Sequence, residues 1–378
     1  MQIINERLNK LISIFLLVLF ELNIVVSIFS RSMAPFASNL TKILFILILL
    51  MLLVSLVTNK FNSFDILWSL SCSILCVLVN GIEGNLLLYL VIIAFSMRNS
   101  NVFLLVKYTS ITILFTLILI LSLTKIGYIP NLQFIRNGVL RSSLGMRFPL
   151  IFGSYVFSFS SLITLLMWKK YPKRLIFILL ILAIFLSKIT NSRNDSFSIL
   201  LLVLVVLLQK LPNKVLEKIC EVCVNIVFLC SFCVPFITKI FPYNSFEYNI
   251  LDKLSTGRLY YQNILCNFYT PKILGQKINE VGLGGTTSSV NNYFYIDSSM
   301  TRFMFLGGII FFILYLFAWY RCINKQIKKK LYLFALVFII IWLNGFLEDS
   351  MANPTTGFLV AFLLIDNYSA YKEAVDLE

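Results

Sequence analysis

Apolar runs of membrane-spanning length recur along almost the whole 378-residue chain. A helix crosses the hydrocarbon layer in about 20 residues, or in fewer where it is broken or buried in protein. We predict twelve spans, at 11–29, 40–57, 64–79, 86–97, 102–123, 150–168, 175–190, 197–209, 222–240, 303–320, 331–347 and 355–366. The fourth, eighth and twelfth are short and are compatible with half-spans or re-entrant segments. The sequence therefore predicts an all-α polytopic membrane protein of about 12 transmembrane helices, with residues 1–378 forming a single integral membrane domain.

The composition supports this class and excludes nucleic acid as a partner. Hydrophobic residues make up 59% of the chain and charged residues 13%, whereas a soluble protein needs roughly a quarter of its residues charged. The formal charge of +15 comes from basic residues scattered in short clusters between apolar runs. That distribution is typical of topology signals and not of a nucleic-acid groove. The first apolar run exceeds the roughly 7–15 residues of a cleavable signal, so we expect a retained first span.

The basic clusters predict an orientation. Three clusters between predicted spans fall on the same side of the membrane if the spans alternate, and the positive-inside rule makes that side cytoplasmic. They lie at Lys169–Arg174, Lys210–Lys218 and Arg321–Lys330. Both termini are then cytoplasmic. The long polar interval 241–302 becomes a large extracytoplasmic loop, in which we expect short amphipathic helices.

Arginine is concentrated on the predicted outer side. Seven arginines fall there and four on the cytoplasmic side; the seven are Arg31, Arg136, Arg141, Arg147, Arg193, Arg258 and Arg302. A guanidinium binds phosphate or carboxylate through two parallel hydrogen bonds, which lysine cannot do. Arginines held outside against the positive-inside bias therefore predict an anionic ligand at the outer face.

Arg258 lies in the most informative of these stretches. Ser255 or Thr256 is expected to cap a short amphipathic helix, which places Arg258 in its first turn. A cation there opposes the helix dipole, and a bound anion such as a lipid phosphate would remove the conflict. The alternative is a capped helix lying on the membrane with an incidental arginine.

Two further arginine groups are candidate binding residues. Arg136, Arg141 and Arg147 lie in a segment with glycines and a proline, so they belong to a structured turn region in which they could converge on a diphosphate. The alternative is a loop that contacts solvent or lipid headgroups. Arg193 lies at the end of a predicted span, where pairing with Asp195 or snorkelling is the alternative to ligand binding.

Glu348 and Asp297 are the candidate catalytic carboxylates. Partial desolvation at a membrane boundary raises a carboxyl pKa and suits it to proton abstraction. A helix cap or an arginine partner is the alternative role for each. The chain contains no histidine, and its two Cys-x-x-Cys pairs lie about 15 Å apart on one predicted helix. We therefore expect no metal and no other cofactor.

Several short motifs together resemble the Wzy-type polymerases of O-antigen, capsule and exopolysaccharide assembly, which are integral membrane glycosyltransferases. The resemblance covers the whole chain in architecture. Locally it depends on five segments: Arg141–Gly145 with Pro149, Thr190–Arg193, Leu254–Leu259, Asp297 with Leu306–Gly308, and Gly345–Ser350. Related sequences often carry a histidine just before the proline of the first segment, where this chain has Arg147 and Phe148.

The resemblance implies a GT-C-like fold and transfer of a growing glycan from undecaprenyl diphosphate onto the next lipid-linked repeat unit. The reaction would occur, without a metal, at the outer face of a bacterial cytoplasmic membrane. Partners would be undecaprenyl-diphosphate-linked glycans and the lipid bilayer, and a chain-length regulator and a flippase could accompany the enzyme. Arg258, Arg141 and Arg147 would bind the diphosphate with support from Arg193 and Arg136, and Glu348 or Asp297 would act as base.

Two other classes of membrane protein remain open, together with a non-catalytic scaffold of an export complex. A lipid-linked oligosaccharide flippase or another transporter should place charges inside its spans and keep its loops short. An O-antigen ligase-like transferase shares the layout, but ligases use an external histidine that this chain lacks. Because the charges concentrate at the predicted outer span ends, the pattern favours an enzyme.

Overall fold

The computed structural model describes residues 2–57, 62–82, 84–136, 138–288, 290–369 and 371–373, with side chains from residue 11 onward. The chain is about 70% helical, with 15 α-helices in this part. The first five are α1 (Gln2–Ser30), α2 (Leu40–Leu56), α3 (Ser63–Asn80), α4 (Leu86–Met97) and α5 (Val102–Lys125). The next four are α6 (Pro149–Met167), α7 (Pro172–Phe185), α8 (Arg193–Leu208) and α9 (Asn213–Cys233). The last six are α10 (Ile237–Ile240), α11 (Phe246–Leu254), α12 (Arg258–Phe268), α13 (Ser299–Arg302), α14 (Ile309–Lys328) and α15 (Tyr332–Asn344).

Five stretches are long and apolar enough to cross a membrane. They are Leu11–Ser30, Ser63–Asn80, Val102–Lys125, Pro149–Met167 and Asn213–Ile240. Three shorter apolar helices, α2, α4 and α15, have 10–17 residues. The class of membrane-embedded helical protein is thus confirmed, while the number of twelve spans stays a prediction.

The last predicted span is not an α-helix. Residues 355–366 contain only the 3₁₀ segment Phe358–Phe362, which is buried and packs against α4. A Pro-Thr-Thr-Gly sequence at 354–357 interrupts the apolar run. Irregular backbone is tolerated at membrane depth where protein surrounds it. The apolar composition of this segment therefore reflects burial in protein and not exposure to lipid.

The core is centred on α4 and α15. Almost every residue of either helix is buried, because α15 contacts α6, α8, α9 and α14 while α4 contacts α2 and α3. A helix that is apolar all round needs this kind of enclosure or lipid around it. The end of α15, where Glu348 follows after a short turn, is thereby fixed by four neighbouring helices.

A β-hairpin lies between α5 and α6, which the all-α prediction did not include. Strands β1 (Gln133–Arg136) and β2 (Val139–Ser142) pair antiparallel, with Phe134 opposite Arg141. Gly138 has a φ of 73° in the connecting turn, a conformation that glycine adopts without strain. The hairpin places Arg136 and Arg141 on paired strands instead of in an irregular loop.

The predicted large loop, 241–302, contains α11, α12 and α13 joined by irregular chain. On α11 the side chains of Phe246, Ile250 and Leu254 form an exposed apolar stripe, so the helix is amphipathic as predicted. The irregular part crosses directly over the start of α14. A Cβ on Gly308, whose φ is 92°, would lie 2.3 Å from the Gly275 nitrogen, so only glycine allows this crossing.

Candidate functional site

Arg258 holds the two predicted catalytic carboxylates together. Its Nη2 lies 2.6 Å from Glu348 Oε1 and its Nε lies 3.7 Å from Asp297 Oδ2. The Arg258 and Glu348 side chains are 11% and 6% exposed, so this is a buried ion pair. Both acids therefore have an arginine partner, which is one of the alternative roles that the sequence left open for each of them.

Backbone contacts bring these three residues together. The Ser299 amide donates to the Gly345 carbonyl at 2.9 Å, and the Ser299 hydroxyl donates to the Glu348 carbonyl at 2.6 Å. The start of α13 is thereby fixed to the turn that follows α15. Asp297 precedes Ser299 by two residues and therefore lies beside Glu348.

The start of α12 differs from the prediction. Gly257 occupies the N-cap position with a φ of 83°, and neither Ser255 nor Thr256 caps the helix. Asp252 instead accepts a hydrogen bond from the Tyr260 amide at 3.2 Å. Thr256 and Gly257 both have a left-handed backbone conformation, and the Ser255 hydroxyl donates to the Asp252 carbonyl at 3.2 Å instead of capping α12. Arg258 does fall in the first turn, and carboxylates of the protein itself supply the anion expected there.

Burial disfavours the charged forms of Glu348, Asp297 and Arg258, whereas the ion pairs between them favour those charged forms. Burial raises the pKa of Glu348 above its ordinary value of 4.5, and the charge of Arg258 opposes that shift. The pKa of Asp297 is raised for the same reason, again with Arg258 opposing. Burial alone would lower the pKa of Arg258, but Glu348 and Asp297 raise it. Arg258 therefore stays charged while either acid can exchange a proton.

A second ion-pair network supports the first. Arg302 Nη2 lies 2.6 Å from Glu280 Oε1, and its Nε lies 3.9 Å from Asp349 Oδ2. The Tyr295 hydroxyl donates to Asp349 at 2.6 Å, and the Arg302 guanidinium lies 4.6 Å from the centre of the Tyr295 ring. Arg302 is 4% exposed and, unlike Arg258, lines none of the cavities around this site, so we assign it a structural role.

Two cavities meet at Arg258, Glu348 and Asp297. The first, here called the loop cavity, has a volume of about 1100 Å³ and borders Arg258, Leu150 and Leu347. The second, the central cavity, has about 290 Å³ and contains Asp297, Glu348 and Leu150 in its wall. The ion pair thus forms part of the boundary between two spaces.

Four of the five predicted arginines divide between these cavities. Arg136 and Arg193 line the loop cavity with Arg258, whereas Arg147 lines the central cavity. Arg141 lines neither: it is buried, and its Nε donates to the Thr190 carbonyl at 3.0 Å. Burial lowers the pKa of Arg141 to about 10.

The predicted convergence of all three arginines Arg136, Arg141 and Arg147 is therefore wrong for Arg147, which lines a different cavity from Arg136. Arg136 and Arg141 lie on the same face of the hairpin, since Phe134 is opposite Arg141 and two residues before Arg136. The Arg147 amide donates to the Arg31 carbonyl at 2.9 Å, which ties Arg147 to the end of α1. Arg136 instead donates from Nη2 to the Thr256 carbonyl and so holds the hairpin against the turn before α12.

Arg193 does not use Asp195 as its partner. Its Nε donates to the Asn191 side chain at 3.2 Å, while Asp195 is buried and accepts from the Asn344 side chain at 3.2 Å. Burial raises the pKa of Asp195 well above its ordinary value, and the nearby charge of Glu348 raises it further. Arg193 keeps its guanidinium available to the loop cavity.

Tyrosine side chains connect the two cavities. Tyr260 and Tyr261 line the loop cavity, and Tyr293 and Tyr295 line the central cavity. The rings of Tyr261 and Tyr293 meet edge to face with centres 5.1 Å apart. Such rings offer apolar faces and hydroxyls together, which suits contact with sugars.

Three features of the central cavity were not assigned from the sequence. Arg31 lies in its wall beside Arg147, Asp349 lies beside Glu348, and the glycine-rich segment 282–285 closes one side. A Cβ on Gly285, whose φ is 91°, would lie 2.9 Å from Met33 Sδ. Arg31 could have been suspected from the sequence, because it is one of the seven arginines on the predicted outer side. Its place in this cavity could not, because the other wall residues are distant from it in sequence. Among the described residues no group of three or more Cys, Asp or Glu side chains is placed to hold a metal ion.

Comparisons with known proteins found no matching family model, no matching curated protein and no matching solved structure. The fold and the site define a membrane-embedded, mostly helical protein with a buried arginine–carboxylate centre between two cavities. Any assignment of activity therefore depends on the geometry of that centre.

Proposed function

We propose that this chain is a polysaccharide polymerase that joins undecaprenyl-diphosphate-linked oligosaccharide repeat units at the outer face of a bacterial cytoplasmic membrane. The observation that carries the proposal is Arg258, which contacts both Glu348 and Asp297 at the boundary between two cavities. A transferase for two large lipid-linked substrates needs a space for each, and reacting groups where the spaces meet.

The loop cavity provides the features that a lipid diphosphate requires. Arg136, Arg193 and Arg258 contribute guanidinium groups to its wall, and charge-assisted hydrogen bonds from guanidinium to phosphate are strong. Negative charge accumulates on the diphosphate as it leaves. Arginines already held in place by the hairpin and by α12 stabilise that charge without a metal.

The carboxylates provide a base on the side of the central cavity. The hydroxyl proton of the acceptor sugar passes to Glu348 or Asp297 as the hydroxyl oxygen bonds to the anomeric carbon of the donor. The bond from that carbon to the diphosphate oxygen breaks, and the electron pair leaves with the diphosphate. A carboxyl with a pKa raised by burial accepts a proton readily near neutral pH.

Binding of the diphosphate would also activate the base. In the absence of substrate, Arg258 lies 2.6 Å from Glu348 and lowers its proton affinity. A phosphate that draws Arg258 toward the loop cavity weakens this contact, so the proton affinity of Glu348 increases when the donor arrives. This coupling ties base strength to occupation of the donor site.

Deletion of the gene in its host tests the proposal. Surface glycan is examined by gel, and lipid-linked intermediates are extracted in parallel. We expect single repeat units on the outer leaflet or on the final acceptor, with no long chains. Repeat units trapped on the inner leaflet would identify a flippase, and long chains left on the lipid carrier would identify a ligase-like transferase.

Complementation of the deletion strain assigns the site. Arg258→Lys should fail to restore long chains although the protein reaches wild-type level, because lysine cannot bind in two-pronged fashion. Arg174→Lys is the matched control, since Arg174 is exposed at the start of α7, and it should restore the wild-type glycan. Full activity of Arg258→Lys would remove Arg258 from the site.

A further inference from the structure

A third cavity lies between α1, α2 and the start of α4, away from Glu348 and Asp297. This space, here called the α1–α2 groove, has a volume of about 520 Å³. Arg31 and Arg147 stand between it and the central cavity, since both residues line both spaces. Lys42, an exposed residue in the first turn of α2, adds a third cation to its wall.

The cations of the groove contact only neutral groups in the described part of the chain. Arg31 Nε donates to the Thr355 hydroxyl at 2.8 Å, and Arg147 Nε donates to the Ser32 carbonyl at 3.5 Å. No Asp or Glu occurs among the described residues of its wall. Burial lowers the pKa of Arg147, and the nearby charge of Arg31 lowers it further. Arg258 and Arg302 each have two acidic partners, whereas no described carboxylate lies within 4 Å of these three cations, so the groove offers positive charge to an anion from outside the chain.

Polar groups continue from these cations along one face of α1. Ser30, Ser27 and Asn23 follow at helical spacing, all three are buried, and all line the groove. Asn23 and Ser30 are seven positions apart, which corresponds to roughly 10 Å along the helix. Asn23 is 1% exposed, and neither its amide nitrogen nor its amide oxygen has a hydrogen-bond partner in the described structure. An unpartnered buried amide in a cavity wall is a site for a polar ligand atom.

The opposite wall is apolar. Leu44, Phe45 and Ile48 of α2 line the groove below Lys42. A small inorganic anion would make no use of this surface, whereas a molecule with a charged head and a hydrocarbon chain would use both parts. The groove therefore has the chemistry of a binding site for an anionic amphiphile, with the head at the mouth and the chain along α2.

We propose that the α1–α2 groove binds a lipid with a phosphate head group, which Arg31, Lys42 and Arg147 hold at the mouth. The lipid could be an anionic membrane phospholipid or a polyprenyl phosphate, since the recognition chemistry is the same. The inference goes beyond the proposed function, because it concerns binding alone and holds whatever reaction the protein performs.

Native mass spectrometry of the purified full-length protein in detergent tests the proposal. Phosphatidylglycerol, a long-chain polyprenyl monophosphate and zwitterionic phosphatidylcholine are added separately at equal concentrations. We expect a one-to-one adduct with at least one of the two anionic lipids and a much weaker adduct with phosphatidylcholine. The anionic lipid that binds more tightly identifies the source of the ligand.

Three variants locate the adduct. Lys42→Gln and the double variant Arg31→Gln/Lys42→Gln should weaken anionic-lipid binding by roughly tenfold or more, since each removes a charged hydrogen-bond donor. Lys42 is exposed and its side chain forms no hydrogen bond or ion pair with another described residue, so the single variant Lys42→Gln keeps the test valid if the double variant misfolds. Lys125→Gln is the matched control, because Lys125 is an exposed lysine at the end of α5 in the same predicted outer region.

Glu83 lies outside the described residues but precedes the wall residue Gly84 in the sequence, so Glu83→Gln is also measured. Loss of a negative charge there should leave lipid binding unchanged or stronger. A weaker adduct in Glu83→Gln, unchanged binding in Lys42→Gln, or an equal loss in Lys125→Gln would each overturn the proposal. Equal binding of phosphatidylcholine would overturn the role of the cations, and displacement of lipid by equimolar inorganic diphosphate would identify a free-anion site instead.

Discussion

Arg258 is the residue on which the candidate site depends, because it is the only described partner within 4 Å for the charges of Glu348 and Asp297. Taking charged groups out of water costs several kcal/mol each, and the cost is recovered only while the opposite charge is in place. Removal of the guanidinium alone would leave the buried Glu348 carboxyl and the partly buried Asp297 carboxyl without a counter-charge within 4 Å. The same residue can therefore be essential for stability and for activity, and an experiment must separate the two.

Arg258→Gln should lower the free energy of unfolding by roughly 3 kcal/mol, the cost of leaving a buried charge unpaired. Thermal unfolding of the purified protein in detergent measures the change. The double variant Arg258→Gln/Glu348→Gln should recover part of the loss, since glutamine removes the orphaned charge. Equal melting temperatures for wild type and Arg258→Gln would show that the ion pair contributes nothing to the fold.

The pH dependence of polymerisation follows from the raised pKa of Glu348. The base acts when deprotonated, so the rate in membrane preparations should increase with pH through a value above the ordinary 4.5. Glu348→Gln and Asp297→Asn identify the base: the variant that lacks it should lose polymerisation at every pH, while the other variant keeps the acidic limb of the pH profile.

The raised pKa of Glu348 makes the stability of the fold decrease with pH, whereas it makes the rate increase with pH. The folded protein binds the Glu348 proton more tightly than the unfolded chain does, so this group stabilises the fold most at low pH. The contribution of Glu348 to the free energy of unfolding decreases as the pH rises from 4.5 through the pKa that Glu348 has in the folded protein. The pH profile of the melting temperature should therefore rise less steeply in wild type than in Glu348→Gln across that window.

At the scale of elements, the turn between α11 and α12 decides where Arg258 points. Gly257→Ala should cost roughly 1–2 kcal/mol, because the residue has a φ of 83° that an L side chain adopts only with strain. A Cβ there would meet only the Arg136 guanidinium, at 4.0 Å, so strain and not crowding is tested. Gly127→Ala is the matched control, since Gly127 has a φ of 87° with open space around its Cβ position and lines neither cavity. We expect a lower melting temperature for both variants but less polymer for Gly257→Ala alone, and equal loss of polymer in both would contradict this account.

Helices of the bundle were predictable from the sequence because their signal is local. Apolar runs marked α1, α2 and α5 to within a few residues at most ends. The 3₁₀ segment Phe358–Phe362 was misjudged, since composition does not distinguish a segment buried in protein from one exposed to lipid. The hairpin 133–142 was missed because strand pairing in a short polar segment leaves little periodic signal.

The site was predictable as a set of residues but not as an arrangement. Arginine and carboxylate at the predicted outer span ends could be read from charge placement, and Arg258, Glu348 and Asp297 do meet. Contacts across 90 residues, such as Arg258 to Glu348, depend on tertiary packing that a single sequence does not display. For the same reason the separation of Arg147 from Arg136 was not foreseen.

At the scale of the whole molecule, the polymerase proposal requires the cavities to face outward, because lipid-linked repeat units are joined there. In a variant without its native cysteines, Thr286→Cys and Lys170→Cys report on the two faces, since both positions are exposed. Thr286 belongs to the loop beside the central cavity, and Lys170 belongs to a predicted cytoplasmic cluster. A membrane-impermeant maleimide applied to cells whose cytoplasmic membrane is intact should label Thr286→Cys, and should label Lys170→Cys only after permeabilisation. The reverse pattern would place Glu348 and Arg258 on the cytoplasmic side, where no outer-leaflet substrate could reach them, and the polymerase proposal would fail.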